Sequence, residues 1–411
     1  MRQTFPLILV LTSAIASEAA RGGDWPQFRG PTGDGHYVGP PIPTDWGPDK
    51  NVAWKTPIPG RGWSSPIVWQ SRLYLTTAVE QSRRYSLQAV AVDCQSGKIA
   101  WNREVFVEDA SKAPAPHAKN THASPTPVTD GQRLYVHFGH MGTAALDFAG
   151  NVLWKNETLG YVPVHGNGGS PIVVGDKLIF SCDGTDVQVV VALDTATGKV
   201  AWKTPRNANP SKGFSFATPH VVTVDGKEQV VSPGSNMAAA YDPATGREIW
   251  RVNYDGYSLI QRPVFGHGLV YIQTGFNNPI LHAIKPGAGD VTDNIVWTYR
   301  RNVPHTASYV LAGDELYMVS DKGIATCMDA KTGKMYWSER VPGGYSASPI
   351  YSDGKIWLTN EDGGGTVLQA GKTFKILAQN DLKEKTLASF AAADGALYVR
   401  TERHLYRFEA K

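Results

Sequence analysis

Ala192–Thr204 reads ALDTATGKVAWKT, and its last five residues, VAWKT, occur once more at Val52–Thr56 without the front half. The longer phrase returns as AVDCQSGKIAW ending at Trp101, ALDFAGNVLW at Trp154, AYDPATGREIW at Trp250 and CMDAKTGKMYW at Trp337. Degenerate copies are AIKPGAGDVTDNIVW, ending at Trp297, and LQAGKTFKIL, around Ile376. Successive tryptophans are mostly 47 or 48 residues apart, in the range of four-stranded propeller blades.

Each phrase has a mechanical reading. The apolar residues before the Asp form a strand; Asp and Thr side chains bond the turn backbone, and Gly supplies the positive φ that closes a hairpin. Alternation then resumes, and Trp offers a flat apolar surface to the neighbouring unit. Two more strands lie upstream of each phrase, as in SPIVWQSRLYLTTA from Ser65, SPIVVGDKLIFSCDG from Ser170 and SPIYSDGKIWLTNEDG from Ser348. The unit is therefore one antiparallel four-stranded blade. Seven units are nearly complete, and Ala388–Lys411 supplies three strands of an eighth. The orphan NVAWKT is its missing outer strand; pairing it with Leu405–Ala410 seals the ring and hides both sheet edges. The expectation is all-β: an eight-bladed propeller of four-stranded antiparallel blades spanning 51–411, or seven blades if the Ile376 unit is not one. Trp54, Trp101, Trp154, Trp202, Trp250, Trp297 and Trp337 are its docking residues.

The 411 residues include 42 Gly, 27 Pro and 12 Trp with a net charge of +3, which favours a loop-rich β protein. No basic stripe accompanies that small charge, so nucleic acid is not expected as a partner. Residues 1–19 have the layout of a secretory signal peptide, one Arg followed by an apolar run and small residues, with cleavage after Ala16 or Ala19. The run is short for a membrane anchor, and no cysteine near it would carry a lipid. An exported monomer of the periplasm or extracellular space, not an integral membrane protein, is expected, with residues 20–50 as an extension. The three cysteines, Cys94, Cys182 and Cys327, read as buried apolar filler.

The A-x-D-x-x-T-G-x-x-x-W phrase, with SP or TP opening most units, resembles the tryptophan-docked repeats of the exported PQQ-type, quinoprotein-like propellers, BamB-like members included. The leader DWPQFRGPTGDG (Asp24–Gly35) is similar to that of exported bacterial members. The resemblance covers Trp54–Lys411 and implies one of two trades. One is a dehydrogenase holding PQQ and Ca²⁺ over the axis; the other is a cofactor-free scaffold in outer-membrane assembly.

Residues just before each blade's first strand should ring the axial funnel. They are Arg61 and Trp63, His117 and His122, His165 and Asn167, Lys212 and Phe214, Gln261 and Arg262, His305 and Tyr345. Of these, Arg61, Trp63, His122, His165, Asn167, Lys212, Arg262, His305 and Tyr345 are the candidate ligand- or partner-binding residues. The set contains no Asp or Glu, whereas Ca²⁺ wants carboxylate ligands and alcohol oxidation wants a base. It suits a small anionic ligand or a segment of an envelope or secreted protein, with Arg262 as the fork donor. A metal held by His122, His165 and His305 is the lesser alternative. The link Glu108–His122 reads as a lid or partner loop, and EDGGG at Glu361–Gly365 as a mobile turn. The resulting expectation is a non-catalytic binding module or scaffold without cofactor, against the alternative of a PQQ- and Ca²⁺-dependent oxidoreductase acting on an alcohol or sugar.

Overall fold

The computed structural model describes residues 23–410; the signal-peptide reading of residues 1–19 lies outside them. Among the described residues eight β-sheets follow one another, with two short 3₁₀ turns between strands. We number the blades 1 to 8 in chain order. Blades 1 to 7 span residues 67–109, 128–156, 172–205, 220–253, 264–299, 310–340 and 350–381, and each runs from an inner to an outer strand. Blade 8 takes Ala391–Ala393, Ala396–Arg400 and His404–Glu409 from the C-terminus and Val52–Pro57 from the other end of the chain. Val52–Pro57 pairs antiparallel with His404–Glu409, Thr56 facing Leu405. Among the described residues no helix is long and apolar enough to cross a membrane.

Neighbouring blades meet through apolar layers in which second and third strands contribute small or branched side chains. Ala89 and Ala91 of blade 1, for instance, pack with Leu134, Val136 and Ala144 of blade 2. At the periphery the repeat phrase works between blades. Trp54, Trp101, Trp154, Trp202, Trp297 and Trp337 each donate the indole N–H to a turn carbonyl of the following blade at 2.8–3.1 Å. The rings of the first five lie against the turn glycine of that blade, so that a Cβ on Gly198 would sit 2.4 Å from Trp154. Trp250 departs from the pattern. The blade 5 turn is expanded, and its Gly289–Asp290 pairs parallel with the outer strand of blade 4; Trp250, fully buried, donates to Gln229 Oε1 at 2.8 Å.

A second set of bonds links the blades around the axis. In seven of the eight blades the amide two residues before the inner strand donates to the hydroxyl at the same position of the next blade, at 2.9–3.1 Å. The series runs Ser65 to Thr126, Thr126 to Ser170 and Ser170 to Thr218. It resumes from Arg262 to Ser308, then Ser308 to Ser348, Ser348 to Ser389 and Ser389 back to Ser65. The single break follows Thr218, because blade 5 places Arg262 where the others have Ser or Thr.

Beside that break the leader segment is inserted into the axis as a plug, entering and leaving at the blade 8 hairpin turn, with Gly23 beside Asp394 and Tyr37 accepting from Gly395. Trp25 and Val68 exchange backbone bonds, Pro26 accepts from Thr129, and Tyr351 bonds both Gly35 and Tyr37. Arg29 donates to the carbonyls of Pro349, Asp34 and Tyr309. Arg262 donates to Phe28 O at 2.6 Å and Gln27 Oε1 at 3.0 Å. Both arginines are 1% exposed, and burial depresses their pKa values, Arg29 to about 10 and Arg262 to about 9. Gly33 (φ +76) lies so close to Arg262 that a Cβ there would fall 2.4 Å from the guanidinium carbon.

Two glycine substitutions separate backbone strain from docking. Gly175 (φ +57) has open space around it, whereas Gly198 (φ +69) faces Trp154. Gly175→Ala should cost about 1 kcal/mol from the left-handed backbone alone, and Gly198→Ala about 2 kcal/mol or more because the indole must also move. Chemical denaturation of the two variants checks the order; equal losses would mean that the indole contact contributes nothing.

Candidate functional site

On one face of the ring, two kinds of segment converge. These are the links from each outer strand to the next inner strand and the loops joining second to third strands. They enclose a funnel of about 1080 Å³ whose lining includes Phe28 from the axial plug. Within the funnel the links contribute Trp63, His117, Lys119, His165, Lys212, Phe214, Tyr257, Arg300 and His305; the second-to-third-strand loops contribute Phe276, Asn278, Asp321 and Lys322.

One wall is a run of rings. His117 and His165 lie 5.6 Å apart, His165 meets Phe214 edge-on at 5.5 Å, and Phe214 meets Tyr257 at 5.9 Å. His165 (φ +68) and Ser258 (φ +59) hold left-handed backbone here, a conformation costly for these residue types and concentrated at functional sites. Burial and the neighbouring His117 and Lys212 lower the His165 pKa. Lys212 stands with Nζ 4.4 Å from the Tyr257 ring centre and 3.2 Å from its hydroxyl.

On the blade 6 side, Asp321 organises His305. Its Oδ2 accepts from the His305 backbone amide and faces His305 Nδ1, both at 2.8 Å, while Oδ1 accepts from Thr306 Oγ1 at 2.7 Å. Burial alone would raise the Asp321 carboxyl, but these bonds outweigh it and hold it below its ordinary value. With Nδ1 committed to the carboxylate, Nε2 is the ring nitrogen left for a ligand. Phe276, 51% exposed, packs on the His305 ring at 5.1 Å.

The 110–122 link crosses part of the mouth. Near one end His117 N and Asn120 Nδ2 bond His165 O; Lys119 Nζ reaches Glu361 of blade 7 at 2.6 Å, and Glu361 also accepts from Ser346. Expected as mobile, the Glu361–Gly365 turn is instead a built element. Asn360 Oδ1 accepts from the amides of Asp362 and Gly364, and its Nδ2 donates to Pro342 O.

Of the residues picked from the sequence, Trp63, His165, Lys212 and His305 line the funnel, whereas Arg61, His122, Asn167, Arg262 and Tyr345 do not. Arg262 is a correction: its fork is spent on the plug, so it is not open to a ligand. Arg61 is largely exposed, 3.9 Å from Glu402, and His122 is turned onto Tyr85 with ring centres 4.4 Å apart. Asn167 is buried, donating to Phe138 O and accepting from Tyr161, and Tyr345 is fully buried. The expectation of a carboxylate-free ring is also corrected, because Asp321 lines the funnel. The sequence pattern singles out the links between blades, but the loop after each second strand reaches the same face. Counting those loops as well would bring in Asp321, Lys322 and Phe276.

A family model described as outer membrane protein assembly factor BamB matches residues 46–160, 186–307 and 280–375. No curated protein matches the chain in sequence. Among solved structures, BamB from Moraxella catarrhalis superposes with a TM-score of 0.60 at 14% identity, covering 88% of this chain and 97% of that one. The computationally designed Ika8 protein gives 0.58 at 12% identity, covering 85% and 100%. A europium-containing methanol dehydrogenase gives 0.47 at 13%, covering 86% and 90%. At these identities the first two likenesses speak to the fold alone.

Asp321 carries a pH signature. Because its folded-state pKa is depressed, its contribution to stability is complete above the ordinary value of 3.8 and is lost as pH falls through the lower folded value. Asp321→Asn should lower stability at pH 7 by about 1–2 kcal/mol, and the gap to the parent should narrow below pH 3.8. Urea unfolding at about pH 7 and about pH 3 checks this; a gap independent of pH would show that the carboxylate charge is not what matters.

Proposed function

We propose a function from one premise: the chain belongs to the family of outer membrane protein assembly factor BamB, PQQ-type repeat propellers of eight blades. On that premise it is an exported, non-catalytic binding module whose working surface is the funnel face, acting as a monomer on an envelope or secreted protein or on a small anionic ligand. The observation that carries this reading is the lining. Four cationic side chains, Lys119, Lys212, Arg300 and Lys322, and three imidazoles meet one carboxylate, Asp321. Apolar surface from Phe28, Trp63, Phe214, Phe216, Tyr257 and Phe276 surrounds them. Buried aromatic anchors ringed by polar groups are what protein and ligand recognition use.

The family's other trade needs a calcium ion and PQQ. Calcium takes about 6–8 oxygen ligands, carboxylates prominent among them. Asp321 has both oxygens engaged by His305 and Thr306, and Glu361 is held by Lys119 and Ser346. These donors do not fit a calcium site, and no oxidation step is derived through them.

Two experiments test the proposal. A photo-reactive residue at Asn302, inside the funnel, should capture a specific envelope or secreted protein, while the same residue at Leu153 on the outer strand of blade 2 should not. Titration with PQQ up to high micromolar, with and without Ca²⁺, should give no saturable binding. Turnover of an alcohol or sugar that depends on added PQQ and Ca²⁺ would overturn the non-catalytic reading.

A further inference from the structure

We propose that the blade 4 to blade 6 side of the funnel is a docking subsite for an acidic peptide segment carrying an aromatic side chain, supplied by a partner protein. This rests on the funnel being the working site and names what enters it.

Charge comes first. Lys119 is tied to Glu361, but among the described residues Lys212, Arg300 and Lys322 have no carboxylate within ion-pair distance. All three are exposed and line the funnel, carried by the link from blade 3 to 4, the link from blade 5 to 6 and the second-to-third-strand loop of blade 6. Asp321, the one carboxylate in the lining, turns its oxygens to His305 and Thr306 and offsets one of the three charges, leaving the lining with an excess of positive charge. Like charges that share one concave site without carboxylate partners give it a positive potential, which favours an incoming carboxylate.

Shape and apolar surface come next. Phe276 stands half-exposed at the rim against His305, and the Phe214–Tyr257 pair faces the same space with Lys212 seated on Tyr257. An aromatic side chain entering here meets ring edges and faces on two sides, and a carboxylate next to it in sequence reaches Lys212 or Lys322. The volume, about 1080 Å³, lies at the upper end of small-molecule pockets and admits several residues of chain. Asn278, Asn302 and Ser258 line it as well, available to bond a peptide backbone. Single-stranded nucleic acid also pairs aromatics with cations, but it needs a groove that tracks several nucleotides. This site is a well, with Phe28 of the axial plug in its lining.

The test is a fluorescence-anisotropy titration of the purified chain with a labelled peptide of alternating aspartate, phenylalanine and glycine. Saturable binding is expected, weakening steeply as salt rises. The Lys212→Ala/Lys322→Ala double variant should weaken it about tenfold, and Phe276→Ser should do the same. These side chains are exposed, so both variants should keep the parent's thermal unfolding midpoint. Peptides with serine in place of phenylalanine, or lysine in place of aspartate, should bind at least about tenfold more weakly. Equal binding of the lysine peptide, indifference to the variants, or tighter binding of an oligothymidylate would overturn the proposal. Failure of the acidic peptide alongside a positive capture at Asn302 would defeat this subsite and leave the binding-module reading standing; failure of both would remove that reading too.

Discussion

Around the axis, an amide just before the inner strand of every blade but one donates to a serine or threonine hydroxyl of the next blade, tying neighbouring sheets together at their inner ends. Seven such bonds are made, and the series ends on the residue where it began. A small hydroxyl is the right group for the position: it accepts a buried amide that would otherwise be unsatisfied, and it occupies little of the crowded axis. The indole bonds at the rim do the equivalent work at the larger radius, so six of the eight interfaces are pinned at both ends with an apolar layer between; the blade 4 to 5 and blade 7 to 8 interfaces lack the indole bond.

The one exception explains the axial plug. Arg262 in blade 5 offers no hydroxyl, and its guanidinium is buried with no carboxylate bonded to it. An uncompensated buried cation is costly, and the leader segment meets that cost with the Phe28 carbonyl and the Gln27 amide oxygen. Arg29 from the plug donates its terminal guanidinium nitrogens in turn to carbonyls at the heads of blades 6 and 7. Ring and plug therefore depend on each other. Their junction places Phe28 in the lining of the funnel, so the same contacts that complete the axis also shape the candidate site.

Much of this architecture is legible in the chain itself. The repeat period, the Asp-Gly turn chemistry and the orphan VAWKT strand imply eight blades and the pairing of the chain's two ends, because each depends on local pattern. The site is only half legible. Residues in the links between blades, such as Trp63, His165, Lys212 and His305, can be placed by topology. Those on the second-to-third-strand loops, such as Asp321 and Phe276, escape a rule confined to the links. Side-chain direction lies beyond the linear pattern: Arg262, His122, Asn167 and Tyr345 occupy ring positions yet turn into protein.

The sequence by itself determined the strands, the turns and six of the seven expected docking tryptophans, since hydrophobic period and turn residues act over a few positions; the structure decided for eight blades over seven and turned Trp250 inward onto Gln229. Only the tertiary structure decided that Asp24–Gly35 plugs the axis, that Arg262 is consumed there, and that Lys119 reaches Glu361 across 242 residues of chain. Those outcomes depend on where unsatisfied buried groups meet after the ring has formed, and a linear pattern does not carry that information.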